Sequence, residues 1–124
     1  MARVLVAEDE DALRSFIVRA LGEDGHEVVG AADGAEALDR LTRATTRFDL
    51  LLADIRMPVM DGIALALAAA RDRPELTILL MTGYADQRER AYGLDAIIHD
   101  VMTKPISLDD LKSAVRKALA ARAC

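Results

Sequence analysis

Asp49-Leu50-Leu51-Leu52-Ala53-Asp54-Ile55-Arg56-Met57-Pro58-Val59-Met60-Asp61-Gly62 is the stretch on which the fold turns. Asp49 to Ala53 is a short, nearly continuous apolar run, the pattern of a strand covered on both faces. It stops at Asp54, and the segment to Gly62 is rich in polar and turn-forming residues. Ile63 to Ala70 follows, apolar all round, and reads as a well-covered helix. A buried strand, a polar loop and a covered helix in succession make one βα unit.

The same unit recurs along the chain. Arg3 to Ala7 reads as a first strand, and the acidic run Glu8 to Asp11 follows it. Leu13, Phe16, Ile17, Ala20 and Leu21 then repeat at helical spacing. Gly22 and Gly25 suit the end of that helix. Glu27 to Ala31 is a second strand, and Ala35, Leu38 and Leu41 stripe a second helix introduced by Asp33-Gly34. Leu76 to Met81 reads as a fourth strand, Asp86 to Leu94 as a fourth helix and Ala96 to Met102 as a fifth strand. Ser107 to Arg122 closes the series as a helix with Ser107 at its cap, Asp109 and Asp110 in its first turn, and Arg116, Lys117 and Arg122 toward its end. Five βα units imply a parallel sheet with helices on both faces and right-handed crossovers.

Composition narrows the function classes. The chain has 124 residues, which suits one domain. With Lys+Arg 16 against Asp+Glu 21 the net charge is −5, a poor balance for binding nucleic acid. The longest uncharged stretch, Leu76 to Ala85, is far short of the roughly 20 residues that span a bilayer. No signal peptide is visible, and the single cysteine, Cys124, forbids an internal disulfide. A cytoplasmic location is the expectation.

In open parallel sheets ligands bind beyond the carboxyl ends of the strands. Polar residues collect at that edge: Glu8-Asp9 after the first strand, Asp54 after the third, Thr82 after the fourth and Lys104-Pro105 after the fifth. Each has an ordinary reading as a helix start, a turn residue, a strand-end hydroxyl or a surface charge. Their joint occurrence at four strand ends is harder to obtain by chance. Three neighbouring carboxylates repel one another, and a hard divalent cation such as Mg²⁺ relieves that repulsion.

Val4-Leu5-Val6-Ala7-Glu8-Asp9, the block Asp54 to Gly62, Met81-Thr82-Gly83 and Lys104-Pro105 together resemble the receiver domain of bacterial two-component response regulators. The resemblance covers nearly the whole chain. It implies a flavodoxin-like (CheY-like), doubly wound fold with five parallel strands in the order 2-1-3-4-5 and five flanking helices. It implies that Asp54 is the phosphoacceptor and that Asp9, Asp54 and the backbone carbonyl of Arg56 hold Mg²⁺, with Glu8 acting through water. Thr82 and Lys104 would each bond a phosphoryl oxygen, and Pro105 would follow a cis peptide. The implied partners are a histidine kinase or histidine phosphotransferase and an output protein. The chain reads as one receiver, residues 1–124, with no output domain after the last helix, so it is expected to act by binding another protein.

The chain departs from the family pattern at several positions. The place usually held by a switching aromatic, three before the Lys, is Val101. Tyr84 is the candidate substitute. Ile106 stands where Phe is common, and Glu8 where Asp is commoner. The signalling face implied by the resemblance comprises Tyr84 to Leu94, His99 to Thr103 and Ser107 to Lys117. Met81 to Ala91 and Leu94 to Val101, including His99-Asp100, are similar to a narrower group of stand-alone cell-cycle receivers. That likeness implies a protein which, when unphosphorylated, primes the ClpXP protease, with the ClpX unfoldase or its substrates as partners. His99 itself has an ordinary reading as a capping or surface residue. Two rivals remain. A Mg²⁺-dependent aspartyl-nucleophile phosphatase usually needs a second acid two places after the nucleophile, where this chain has Arg56. A degenerate receiver acting as a constitutive scaffold fits poorly with intact Asp9, Asp54, Thr82 and Lys104.

Overall fold

The computed structural model describes residues 2–83, 90–91 and 93–122. Its elements are β1 (Arg3–Ala7), α1 (Asp11–Glu23), β2 (Glu27–Ala31), α2 (Gly34–Arg43), β3 (Leu50–Asp54), α3 (Gly62–Asp72), β4 (Thr77–Thr82), β5 (Asp100–Thr103) and α4 (Leu108–Arg122). The strands form one parallel sheet in the order β2-β1-β3-β4-β5. The described residues hold four helices against the five expected. Most of the helix expected over Asp86–Leu94, and Tyr84 before it, lie outside the described residues.

Alternation along the strands sorts the core into two layers. Leu5, Leu51 and Leu80 face one side with Ala37 and Leu41 of α2 and Leu65, Ala66 and Ala69 of α3. Val4, Val6, Leu50, Leu52 and Leu79 face the other, with Ile17, Ala20 and Leu21 of α1 and Leu111, Val115 and Ala118 of α4. The three central strands are buried on both faces, whereas the edge strands β2 and β5 are only partly so.

Several expectations shift in detail. In α2 the buried residues are Gly34, Ala37 and Leu41, so the inward stripe runs through Ala37 and not Ala35. The third helix is not covered all round, because Leu67 is 46% exposed. The fifth strand begins at Asp100. Ala96 to Ile98 form a turn instead, in which the Ile97 and Ile98 N–H groups both donate to the Leu94 carbonyl, at 2.8 and 2.9 Å. Asp54 and Thr82 are the last residues of their strands, not the first beyond them. The ladder is carried past each of them by Ile55 N–H to the Met81 carbonyl, at 2.9 Å, and Lys104 N–H to the Thr82 carbonyl, at 2.8 Å.

Local chemistry sets the helix starts. The Asp33 side chain accepts from Glu36 N–H at 2.8 Å, and Glu36 reaches back to Ala32 N–H at 2.7 Å. Asp61 caps α3 by accepting from Ala64 N–H at 2.8 Å, and Ser107 caps α4 by accepting from Asp110 N–H at 3.0 Å. The loop from β3 to α3 turns sharply at Val59, which has φ 69, and Met60 N–H bonds the Pro58 carbonyl at 2.7 Å. The loop returns so closely that a Cβ on Gly62 would collide with the Asp54 carbonyl oxygen. Only glycine allows that approach.

Candidate functional site

Parallel pairing brings the carboxyl ends of β1, β3, β4 and β5 to one edge of the sheet. Asp54, at the end of β3, is 5% exposed, and its Oδ1 accepts from Arg56 N–H at 3.2 Å. Glu8, just past β1, is 1% exposed. Asp9 beside it is exposed to solvent. One carboxylate oxygen from each of Glu8, Asp9 and Asp54 lies within 4.8 Å of the others. Lys104, just past β5, reaches back over the edge. Its Nζ donates to Asp54 Oδ2 at 2.6 Å and to Glu8 Oε1 at 2.9 Å. The Lys104–Pro105 peptide bond is cis. These groups line a cavity of about 450 Å³ together with Glu10, Arg56 and Gly83.

The electrostatics follow from burial and crowding. Loss of solvation pushes the Glu8 carboxyl up to about 7, opposed by the Glu10 N–H and by Lys104 and reinforced by the neighbouring Asp54 charge. Burial also disfavours the Lys104 ammonium, but its bonds to Asp54 and Glu8 outweigh this and hold its pKa above the ordinary value. Fully ionised, three carboxylates and one ammonium leave two negative charges in the cavity. All the side-chain donors are hard oxygens. Their spacing is compatible with ligand–ligand distances of about 3 to 4 Å around a small octahedral cation. The residues present therefore fit Mg²⁺.

The response regulator receiver domain profile matches residues 4–116, from β1 into the last helix. The chain belongs to the response regulator receiver family. Receivers of this family are regulatory proteins that bind Mg²⁺ at an acidic pocket and interact with histidine kinases or phosphotransferases and with output proteins. This receiver is 40% identical to the response regulator receiver protein CpdR of Brucella abortus, over 98% of this chain and 99% of that one. It is 37% identical to the response regulator MprA of Mycobacterium avium, over 94% of this chain and 50% of that one. Among solved structures it is similar to a CheY-like receiver from Methanospirillum hungatei, with TM-score 0.90 and 29% identity over 98% and 96% of the two chains. It is also similar to the Thermotoga maritima response regulator TrrA in complex with Mg²⁺ and BeF, with TM-score 0.84 and 30% identity over 95% and 99%.

Of the residues singled out from the sequence, Glu8, Asp9, Asp54, Arg56 and Lys104 meet in the one cavity. Thr82 ends the adjoining strand and is 1% exposed. Val101 is half-buried in β5 and packs against the core layer shared with α2 and α3. His99 is exposed, and its N–H donates to the Ile78 carbonyl at 2.7 Å. Sequence reasoning missed the Glu8–Lys104 pair, which joins residues 96 positions apart. It also missed the ion pair of Asp61 with Arg90 at 2.9 Å, and Arg14, whose Nη1 donates to the Glu8 carbonyl at 2.8 Å. No spacing rule pairs residues as distant as Glu8 and Lys104 or Asp61 and Arg90. Arg14 alone carried a signal, as a charge on the helix face that turns toward β2.

Proposed function

We propose that this receiver is a phosphorylation-controlled binding module in which Asp54 accepts a phosphoryl group from a phosphohistidine protein. The observation that supports this most directly is the meeting of Asp54 with Asp9 and Lys104 at one sheet edge. In the reaction an Asp54 carboxylate oxygen attacks phosphorus in line. The phosphorus–nitrogen bond to the donor histidine breaks, and the imidazole leaves with the bonding pair. The chain's own work is positioning and charge compensation. Arg56 N–H holds Asp54 Oδ1 from one side. Lys104 holds Oδ2 from the other and transfers to a phosphoryl oxygen as the bond forms. Thr82, on the neighbouring strand end, would bond another. Asp9, Asp54 and the Arg56 carbonyl would hold Mg²⁺, which when bound neutralises and orients the phosphoryl oxygens.

The output is protein binding, switched through the edge formed by Thr82, β5 and α4. With Val101 in place of an aromatic, Tyr84 and the loop after Thr82 are the proposed carriers of the change. The likeness to CpdR supports a finer reading, in which the unphosphorylated receiver primes ClpXP proteolysis through ClpX or its substrates. The rival constitutive scaffold is separated by one experiment. Labelling by a small-molecule phosphodonor in Mg²⁺ is expected in the wild type and lost in Asp54→Asn, which keeps the shape and removes the nucleophile. Labelling that survives in Asp54→Asn contradicts the assignment.

A further inference from the structure

We propose that His26 is a proton-operated clasp at the amino-terminal end of the sheet: the neutral ring holds the chain at the start of β1, and the protonated ring releases it and pairs with Asp24. His26 lies in the turn between α1 and β2, at the opposite end of the strands from Asp54. Gly25, with φ 91, bends the chain there, and His26 N–H closes the turn on the Leu21 carbonyl at 3.2 Å. The ring is carried inward, with 10% of the side chain exposed. Its Nδ1 accepts from Ala2 N–H at 3.3 Å. A ring nitrogen that accepts carries no proton, so the neutral imidazole holds its proton on Nε2. That Nε2–H is buried and donates to nothing, alone in this respect among the buried side-chain nitrogens and oxygens of the described residues. A buried donor without an acceptor is unfavourable. Facing it, 4.0 Å away, is Asp24 Oδ2.

Histidine is the side chain whose ordinary charge change falls between about pH 5 and 8. A proton taken from solvent binds Nδ1 and fills the lone pair that received Ala2 N–H. Two N–H groups then point at each other, and the bond to Ala2 is lost. The same proton puts a positive charge beside a carboxylate, and the 4.0 Å approach of Nε2–H to Asp24 closes into a charge-assisted hydrogen bond. Asp24 Oδ2 already accepts from Arg116 Nε at 2.8 Å, and a carboxylate oxygen has a second acceptor site for the imidazolium, so the tie between α1 and α4 persists. The other charges around this corner are Lys112 of α4, which acts on Asp24, Asp109, which acts on Arg116, and Glu27, whose carboxylate turns to Arg3 at 3.6 Å. The release is confined to the chain ahead of β1. The Ala2 carbonyl accepts from Glu27 N–H at 2.9 Å, which ties that chain to the start of β2, while Arg3 N–H is held separately by Asp49 at 2.8 Å. Protonation therefore loosens the Ala2–Glu27 rung and leaves the sheet beyond it paired.

Nitrogen-15 spectra of the full chain, recorded from about pH 8 down to about pH 5, test this. At the alkaline end the His26 ring is expected to carry its proton on Nε2 and none on Nδ1. As the pH falls the ring is expected to become an imidazolium. Over the same interval the Glu27 amide is expected to lose about tenfold of its protection from exchange, taken relative to the unstructured rate, which is the scale of one lost hydrogen bond. In His26→Gln, which cannot take up the proton, that protection is expected to change less than about twofold. Asp24→Asn keeps the shape of the turn and removes the charge that draws the proton, so the ring is expected to charge at a lower pH than in the wild type. A proton on Nδ1 at the alkaline end overturns the proposal, as does a ring still neutral at the acid end. A ring that titrates while the Glu27 amide stays protected, an equal loss of protection in His26→Gln, or an unchanged midpoint in Asp24→Asn overturns it too.

Discussion

Asp9 and Glu8 are adjacent in sequence, yet one is exposed and the other is 1% exposed. Peptide alternation past the end of β1 turns one outward over the cavity and the other down onto Lys104. Their substitutions should differ accordingly. Asp9→Asn removes the carboxylate open to solvent and should weaken Mg²⁺ affinity by about tenfold or more, read by direct titration. An unchanged affinity would remove Asp9 from the proposed ligand set. Chemistry-bearing residue types at the strand ends were legible from the sequence, because a parallel sheet delivers each of them to the same edge. What Lys104 holds was not legible, since Glu8 and Lys104 are 96 positions apart and meet only through the tertiary fold.

Each element depends on a few local devices. Gly62 lets α3 begin against the backbone of Asp54, so Gly62→Ala forces the β3–α3 loop outward. Overpacking of this kind costs about 1–3 kcal/mol, which denaturant titration would read as a lower midpoint. Asp54 labelling should fall with it. At the opposite edge Asp24, which ends α1, accepts a two-pronged bond from Arg116 of α4, with Arg116 Nε at 2.8 Å and Nη2 closer still. That bond holds the Asp24 carboxyl below its ordinary value of 3.8. A depressed carboxyl stabilises the fold above its unfolded pKa and loses that contribution as pH falls through the folded value. Arg116→Ala should therefore destabilise the protein by a constant amount from neutral pH down to about 4, and progressively less below that. Urea titrations at pH 7 and near pH 3 check this, and equal losses at both would contradict it. Among the described residues, strand and helix identities were legible because period and apolar continuity are local. The start of β5 was not, since Ala96 to Ile98 have strand-like composition but are bonded into a turn by Leu94.

For the whole molecule, a ligand that binds only the folded state adds stability as RT times the logarithm of one plus the ratio of its free concentration to its dissociation constant. Mg²⁺ with beryllofluoride at about 100 times its dissociation constant should add about 2.7 kcal/mol, seen as a higher Tm. Asp54→Asn should abolish the gain, and a gain that persists would place the phosphoryl mimic elsewhere. The sequence alone was sufficient for a parallel α/β sheet, for the edge at which the polar residues gather and for the family. The sheet and its polar edge follow from short-range patterns, namely buried runs, helical stripes and polar residues placed where strands end, and the family follows from the resemblance of the four motif blocks to known receivers. Tertiary structure decided which charges pair across the sheet edge, which helix face turns inward and how near α3 comes to Asp54. Those outcomes are set by long-range contacts among β1, β3 and β5 and by the loop that returns from Val59 to Gly62. No local period encodes them. They exist only once the strands have paired and the cavity has closed around Lys104.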